Sequence, residues 1–388
     1  MVHNSHPRLM IVAGEVSGDA HGAALVKELK TRYEQIEFFG VGGRYMGREG
    51  VELVHHIQDL AVLGVVEVIR HYPRIRSIFF ELVNLARQRK PDAVILIDYP
   101  GFNIRLAKQL KKYNIPVIYY ISPQIWAWGQ HRRKIIAERV DKMLVFFDFE
   151  KKFYDDTNLD VDFVGHPLID KLKDRCSRTD FFEKNNFDPV CPLIGLLPGS
   201  RDNEIKRLLP IMLRAASVIQ QRAPETQFVL PVGPAVPKEM VYSILNKMEK
   251  SYQFTVTVID KQVADTMAHV DLALIASGTA TLETACFATP MIIIYKVSFI
   301  TALLARLVIK IPHIGLVNVV AGRQIVPELL QYDAKPKKIA GCALYYITQP
   351  DNLVRKRNEL KEIREKLGKP GAVKRAAESI SSFLEFTK

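Results

Sequence analysis

A carboxylate at the end of a buried apolar run is the first group in this sequence suited to chemistry. Ala93-Val94-Ile95-Leu96-Ile97 runs into Asp98, followed by Tyr99-Pro100-Gly101-Phe102-Asn103. Burial at a strand end raises a carboxyl pKa and makes the carboxylate a better proton acceptor near neutral pH. The same position suits a structural role, accepting N–H groups from the Pro-Gly turn or capping the next helix. A second polar group follows the first apolar run, where Gly14-Glu15-Val16-Ser17-Gly18-Asp19 places Glu15, Ser17 and Asp19 at a strand-to-helix turn. Ser17 or Asp19 also suits a helix cap there. The spacing is not GxGxxG, and no acid follows where a nicotinamide ribose needs one, which argues against a dinucleotide site.

Two later loops suit phosphate. Leu196-Leu197-Pro198-Gly199-Ser200-Arg201 reads as strand, glycine turn and helix start. A helix N-terminus presents free N–H groups and a positive dipole end, and Arg201 adds a forked cation. The GK[ST] of a P-loop is missing, so nucleoside triphosphatase chemistry is not supported. In Ala276-Ser277-Gly278-Thr279 the small residues expose backbone amides to an anion, with Ser277 and Thr279 equally suited to capping. Glu283, one turn further on, is placed to accept both hydroxyls of a ribose. Two such loops in one half of the chain point to a nucleoside diphosphate. Ser122 to Trp128 holds both tryptophans, with Gln124 inside it and Arg132 and Arg133 beyond. That cluster suits a sugar or acyl chain, or packing between domains.

These loops need a frame, and the rest of the chain supplies one. Continuous apolar runs at Leu9–Ala13, Ile36–Gly40, Ala93–Asp98, Val117–Ile121, Lys142–Phe147 and Val161–Val164 predict parallel strands buried on both faces. Helical patterns at Ala20–Tyr33, Ile75–Arg89, Asn103–Tyr113 and Arg132–Val140 separate them. A second series has strands at Leu193–Leu197, Phe228–Pro231, Phe254–Ile259, Leu272–Ile275 and Met291–Tyr295. Helices at Asn352–Leu367 and Val373–Phe386 close the chain. The fold class is α/β, with two doubly wound parallel-sheet domains of Rossmann type, whose ligands sit beyond the carboxyl ends of the strands.

Composition agrees. The 388 residues suffice for two domains, and 48% hydrophobic with 25% charged residues excludes a disordered chain or a disulfide scaffold. The formal net charge is +12, and between Asn103 and Arg139 eight Lys and Arg face the single acid Glu138. Such a field attracts phosphates, although part of it is the solvated face of a helix. The four cysteines are scattered without ligand spacing, fitting a reducing compartment. No export signal is visible, and the apolar stretch Met291–Ile311 is interrupted by Lys296 and Arg306, so a cytoplasmic protein is expected. From Leu60 to Phe80 apolar residues fall on several helical faces among Arg70, Arg74 and Arg76, the pattern of an interfacial helix or of a buried helix edge.

Taken together, AGEVSGDAHGA, LIDYPGFNIRLAK, YYISPQIWAW, FVGHPLID, LLPGSRDNEIKRLLP, IASGTATLETACFATPMIIIYK and IVPELLQ span almost the whole chain. In these segments the sequence closely resembles the lipid-A-disaccharide synthase family, glycosyltransferases of GT-B architecture. The resemblance implies two domains facing across a cleft: 1–170 for the acceptor, a linker at 171–190, 191–350 for the UDP-sugar donor, and helices at 351–388 packing back towards the N-terminal domain. It implies inverting transfer of 2,3-diacylglucosamine from UDP to 2,3-diacylglucosamine 1-phosphate, without metal or cofactor. Position by position, Asp98 becomes the general base and Glu15 lines the acceptor side. Ser200, Arg201, Ser277, Gly278 and Thr279 hold the diphosphate, Glu283 the ribose, and Asn318, Glu328 and Gln331 face the nucleotide. The acyl chains of both substrates favour membrane contact through Val66, Ile69, Arg70, Arg74 and Phe79. The expected partners are the two glycolipids and the cytoplasmic face of an anionic inner membrane, with a homodimer left open. A nucleic-acid binder lacks its module here. A related UDP-sugar enzyme, a muramyl-lipid transferase or an epimerase, would share the SGTATLE-type loop but not LIDYPGFN or SPQIWAW.

Overall fold

The computed structural model describes residues 6–60, 65–172, 175–297 and 312–386, with the backbone alone for 65–71. The chain divides into two compact units, Met1–Pro167 with Leu367–Lys388, and Leu168–Lys366.

Unit 1 is built on a seven-stranded parallel sheet in the order β3-β2-β1-β4-β5-β6-β7. Its strands are β1 (Arg8–Ala13), β2 (Glu37–Gly42), β3 (Glu52–His56), β4 (Ala93–Ile97), β5 (Val117–Tyr120), β6 (Lys142–Val145) and β7 (Asp160–Phe163). Every residue of β4 is fully buried, as its uninterrupted apolar run demands. Helices α1 (Val16–Lys30), α3 (Val65–Arg89) and α4 (Pro100–Lys111) cover the sheet, and the short α2 (Arg44–Arg48) follows β2. Helix α3 runs through Pro73, so the two segments read separately from sequence form one element. The closing helix Ala372–Phe386 packs on α1 within this unit, with Arg32 paired to Glu378 at 3.0 Å and Ser379 Oγ donating to Asp162 at 2.6 Å.

Unit 2 repeats the plan with six parallel strands in the order β10-β9-β8-β11-β12-β13. They are β8 (Leu193–Leu197), β9 (Gln227–Val232), β10 (Thr257–Asp260), β11 (Leu272–Ala276), β12 (Met291–Tyr295) and β13 (Glu328–Leu330). Phe254–Val256, expected as the start of a strand, precedes β10. Between Lys171 and Pro189 the chain forms a helix, Arg178–Asn185, that buries Phe181 and Phe182. Helix Pro350–Lys366 packs in this unit, against Thr279–Cys286. The stretch Met291–Ile311 is described only as far as Val297. No helix among the described residues is long and apolar enough to cross a membrane.

Each strand order reverses once. In unit 1 the reversal lies between β1 and β4, paired in parallel from Leu9 on Ala93 to Ala13 on Ile97. In unit 2 it lies between β8 and β11, paired from Leu272 on Ile194 to Ile275 on Leu197. A doubly wound sheet opens a crevice at that point, because the loops leaving the two strands turn to opposite faces.

Candidate functional site

In unit 1, the loops leaving β1 and β4 carry Glu15 and Asp98. Glu15 is exposed at the N-cap of α1, in extended backbone. Asp98 is half-buried, and its carboxyl is pushed up to about 6, first by burial and then by the Glu15 charge, while the Tyr99 N–H pulls the other way. Its side chain does not cap α4; Tyr99 holds that position, without a side-chain bond. Asp98 and Tyr99 both lie in the left-handed region, with φ of 45° and 48°. The Tyr99 ring packs on the β1 loop so closely that a Cβ at Gly14 would lie 2.3 Å from Cγ. Its hydroxyl donates to the Leu60 carbonyl at 3.0 Å. Glycine at position 14 therefore lets one loop rest on the other.

Asp19 leaves this cluster. Its buried carboxylate accepts the N–H groups of Gly43, Tyr45 and Met46 at 2.7, 3.0 and 3.0 Å, so it caps α2 rather than its own helix. Of the two tryptophans, Trp126 is buried and donates Nε1 to Glu150 at 3.2 Å, while Trp128 carries the Arg132 guanidinium 5.0 Å from its ring centre. Glu150 lies outside every motif that marks the site in the sequence. It is almost fully buried at the start of the helix Asp148–Phe153, and its carboxyl is raised to about 8 by burial, against the pull of the Trp126, Phe147 and Phe146 N–H groups. The available signal is an acid placed three residues after a strand-end aromatic pair, in Phe146-Phe147-Asp148-Phe149-Glu150.

In unit 2, both phosphate-type loops open onto one pocket of about 320 Å³ at the strand reversal. Gly199, Ser200 and Arg201 line one side and Ser277, Gly278 and Thr279 the other, with Val263 and Met267 among the apolar wall residues. Two helices point their N-termini at it, Asp202–Arg222 and Thr279–Cys286. Such ends stabilise anions through unpaired N–H groups and the helix dipole. The Arg201 side chain is 82% exposed and pairs with Glu204 at 3.1 Å. Glu283 is half-buried on the helix Thr279–Cys286, outside the pocket wall. Burial raises its carboxyl, and the Arg175 and Lys171 charges oppose that shift.

Asn318 and Glu328 meet each other. The fully buried Asn318 gives Nδ2 to Glu328 at 2.6 Å and to the Val326 carbonyl at 2.9 Å, and its Oδ1 accepts from Ile325 and Val326. Glu328 in turn accepts the Ile314 and Gly315 N–H groups at 3.0 and 3.1 Å, tying the loop after the undescribed segment to β13. Gln331 follows β13 with φ of 50°. Among the proposed membrane contacts, the side chains of Val66, Ile69 and Arg70 lie outside the described residues. Arg74 pairs with Asp59 at 2.5 Å, and Phe79 is half-buried, edge-on to Phe102. Among the described side chains of this helix, the exposed large apolar residues are Tyr72 and Phe80. Cys176, Asp265 and His269 form the one group of potential metal ligands among the described residues, within 4.8 Å of one another, with Arg175 4.0 Å from Asp265.

Two parallel α/β units, each opening a polar loop pair at its strand reversal, define the GT-B class of fold. Solved structures agree at the level of fold alone. MurG of Acinetobacter baumannii superposes with a TM-score of 0.61 at 13% identity over 97% of this chain and 100% of that one. A UDP-GlcNAc 2-epimerase of Neisseria meningitidis, bound to UDP-GlcNAc, gives 0.62 at 12% identity over 97% and 100%. A family model described as lipid-A-disaccharide synthetase matches residues 9–383. The lipid-A-disaccharide synthase of Syntrophus aciditrophicus is 42% identical over 369 residues, covering 95% of this chain and 96% of the relative. That of Nitrosococcus oceani is 40% identical over 384 residues, covering 99% and 98%. The chain belongs to the lipid-A-disaccharide synthase family.

Proposed function

We propose that unit 1 takes the acceptor and supplies the base, while unit 2 holds the UDP-sugar. The enzyme is a glycosyltransferase. It condenses UDP-2,3-diacylglucosamine with 2,3-diacylglucosamine 1-phosphate, giving the β-1,6-linked disaccharide 1-phosphate and UDP. The acceptor 6-hydroxyl oxygen forms the new bond to the anomeric carbon, and the bond from that carbon to the diphosphate breaks with its electron pair going to UDP. The hydroxyl proton passes to the Asp98 carboxylate and then to solvent. One-sided attack inverts the anomeric centre.

The observation that carries this reading is Asp98 at the β1–β4 reversal, half-buried beside the Glu15 charge, with its carboxyl near 6. A carboxylate tuned towards the working pH is a more effective base than one near 4. Glu15 lines the acceptor side. The N–H groups around Ser200, Ser277, Gly278 and Thr279, with Arg201, stabilise the departing diphosphate, which is the electrostatic role a metal plays elsewhere. Glu283 receives the ribose. Asn318 and Glu328 serve the nucleotide side by tying Ile314, Gly315, Ile325 and Val326 to one another and to β13, and Gln331, just after β13, faces the nucleotide. The test is UDP release from UDP-diacylglucosamine, with and without diacylglucosamine 1-phosphate and EDTA, for the wild type and Asp98→Asn. Acceptor-dependent release that survives EDTA and vanishes in Asp98→Asn, with UDP binding retained, is expected. Wild-type turnover in Asp98→Asn removes Asp98 as the base.

Helix α3 is the membrane-facing element in this reading, on the cytoplasmic face of the inner membrane. Exposed Tyr72 and Phe80, with Arg74 and Arg76 beside them, suit the boundary of an anionic bilayer, and the net charge of +12 favours it. Cosedimentation with anionic vesicles should fall in Tyr72→Ser/Phe80→Ser; full retention places the contact elsewhere. A homodimer, the other partner considered from the sequence, is decided by analytical ultracentrifugation.

A further inference from the structure

The backbone that carries Asp98 is held by two side chains with no assigned role. Asp98 and Tyr99 are consecutive non-glycine residues in left-handed backbone, a conformation that L side chains adopt only when their surroundings enforce it. The Asp98 N–H still donates to the Tyr120 carbonyl at 3.1 Å, continuing the sheet. Its carbonyl has left the sheet and receives two side-chain donors. The Tyr119 hydroxyl reaches it at 2.5 Å and Asn103 Nδ2 at 2.8 Å. The same Nδ2 also lies 3.2 Å from the Ile97 carbonyl.

Both donors are fully buried, and burial holds the Tyr119 hydroxyl well above its ordinary pKa, so it remains a donor. The amide orientation of Asn103 follows from chemistry: facing two carbonyl oxygens, only its NH2 end is tolerated. Its Oδ1 accepts nothing among the described residues. The residue thus acts through its donor.

We propose that Asn103 and Tyr119 are positioning residues for Asp98, fixing the left-handed turn that aims its carboxylate into the crevice beside Glu15. The inference rests on the reading of Asp98 as the base. Neither residue touches substrate. Without the two donors the Asp98 carbonyl is unpaired in the interior, and the turn relaxes towards ordinary backbone and swings the carboxylate out of its half-buried place.

Tyr119→Phe keeps the ring in its seat and removes one donor; Asn103→Ala removes the other. Each full-length variant is assayed for kcat, for UDP affinity and for the pH profile of kcat/KM, beside Asp98→Asn. The expected result is a fall in kcat of up to about 100-fold, the scale of a misplaced catalytic group. UDP affinity stays at the wild-type value, because that site belongs to unit 2. The acid limb moves to lower pH, because a more exposed Asp98 returns towards an ordinary carboxylate. Wild-type kcat in a folded variant, or a reduced kcat with the limb unmoved, overturns the inference. If one variant loses stability, the other decides. An active Asp98→Asn overturns the base assignment itself, whereas an inactive Asp98→Asn beside normal Tyr119→Phe and Asn103→Ala overturns the positioning role alone.

Discussion

Glu204 lies across the phosphate loop and holds Arg201. Its Oε1 accepts Arg201 Nη1 at 3.1 Å, and its Oε2 accepts the Ser200 and Arg201 N–H groups at 3.3 and 3.4 Å. Gly199, with φ of 108°, makes room for this fold-back: a Cβ there would lie 2.3 Å from Glu204 Oε2. An internal carboxylate thus occupies donors that suit a diphosphate, and the exposed Arg201–Glu204 pair is weak enough to exchange.

Arg201→Ala should weaken UDP binding by about 1.5–3 kcal/mol, the scale of a charged hydrogen bond. Glu204→Gln should act in the opposite direction, tightening UDP by about 0.2–1 kcal/mol through loss of an exposed like charge. Titration calorimetry reads both. Unchanged affinity in Arg201→Ala moves the diphosphate elsewhere, and weaker binding in Glu204→Gln shows that the carboxylate supports the loop more than it competes.

The acid limb of kcat/KM should lie near 6, since turnover needs Asp98 ionised. Glu15 is the second cause of the raised value. Glu15→Gln removes its charge, lowers the Asp98 pKa and shifts the limb to lower pH. A limb that stays in place would mean that the two carboxyls are uncoupled in solution.

Glu150 makes stability pH-dependent. Its carboxyl is raised from an ordinary 4.5 to about 8, so between those values the folded protein binds a proton that the unfolded chain releases. Its contribution is complete below about 4.5 and declines as pH rises through 8. Glu150→Gln should flatten that slope, measured by urea unfolding across the range. A slope identical to wild type assigns the pH dependence to other groups.

Gly14→Ala tests the contact between the loops. The new methyl meets the Tyr99 ring inside contact distance, so overpacking should lower stability by about 1–3 kcal/mol and reduce kcat by displacing the neighbouring Asp98. Thermal unfolding and steady-state rates check the two effects, and an alanine variant with normal stability would show that Tyr99 moves freely.

Much of this protein is local in origin and legible as such. The runs Leu9–Ala13, Ala93–Ile97 and Leu272–Ile275 are short, rich in apolar residues and without alternation, the pattern of a strand buried on both faces. The glycine turns, the small residues of Ala276–Thr279 and the acid after Ile97 mark loop chemistry through residue type alone. The strands β3 and β13 leave no such mark in the sequence, because one is polar and half-exposed and the other spans three residues.

What the tertiary structure decided is which loops become neighbours. Strand order sets Glu15 beside Asp98 and the Gly199 loop beside Ser277, and it depends on pairing between distant segments that no local pattern records. The fate of buried polar groups is equally non-local. Asp19 caps a helix other than its own, Asn318 turns to Glu328, and Asn103 and Tyr119 support Asp98, because a buried polar atom bonds whatever donor or acceptor the fold brings to it.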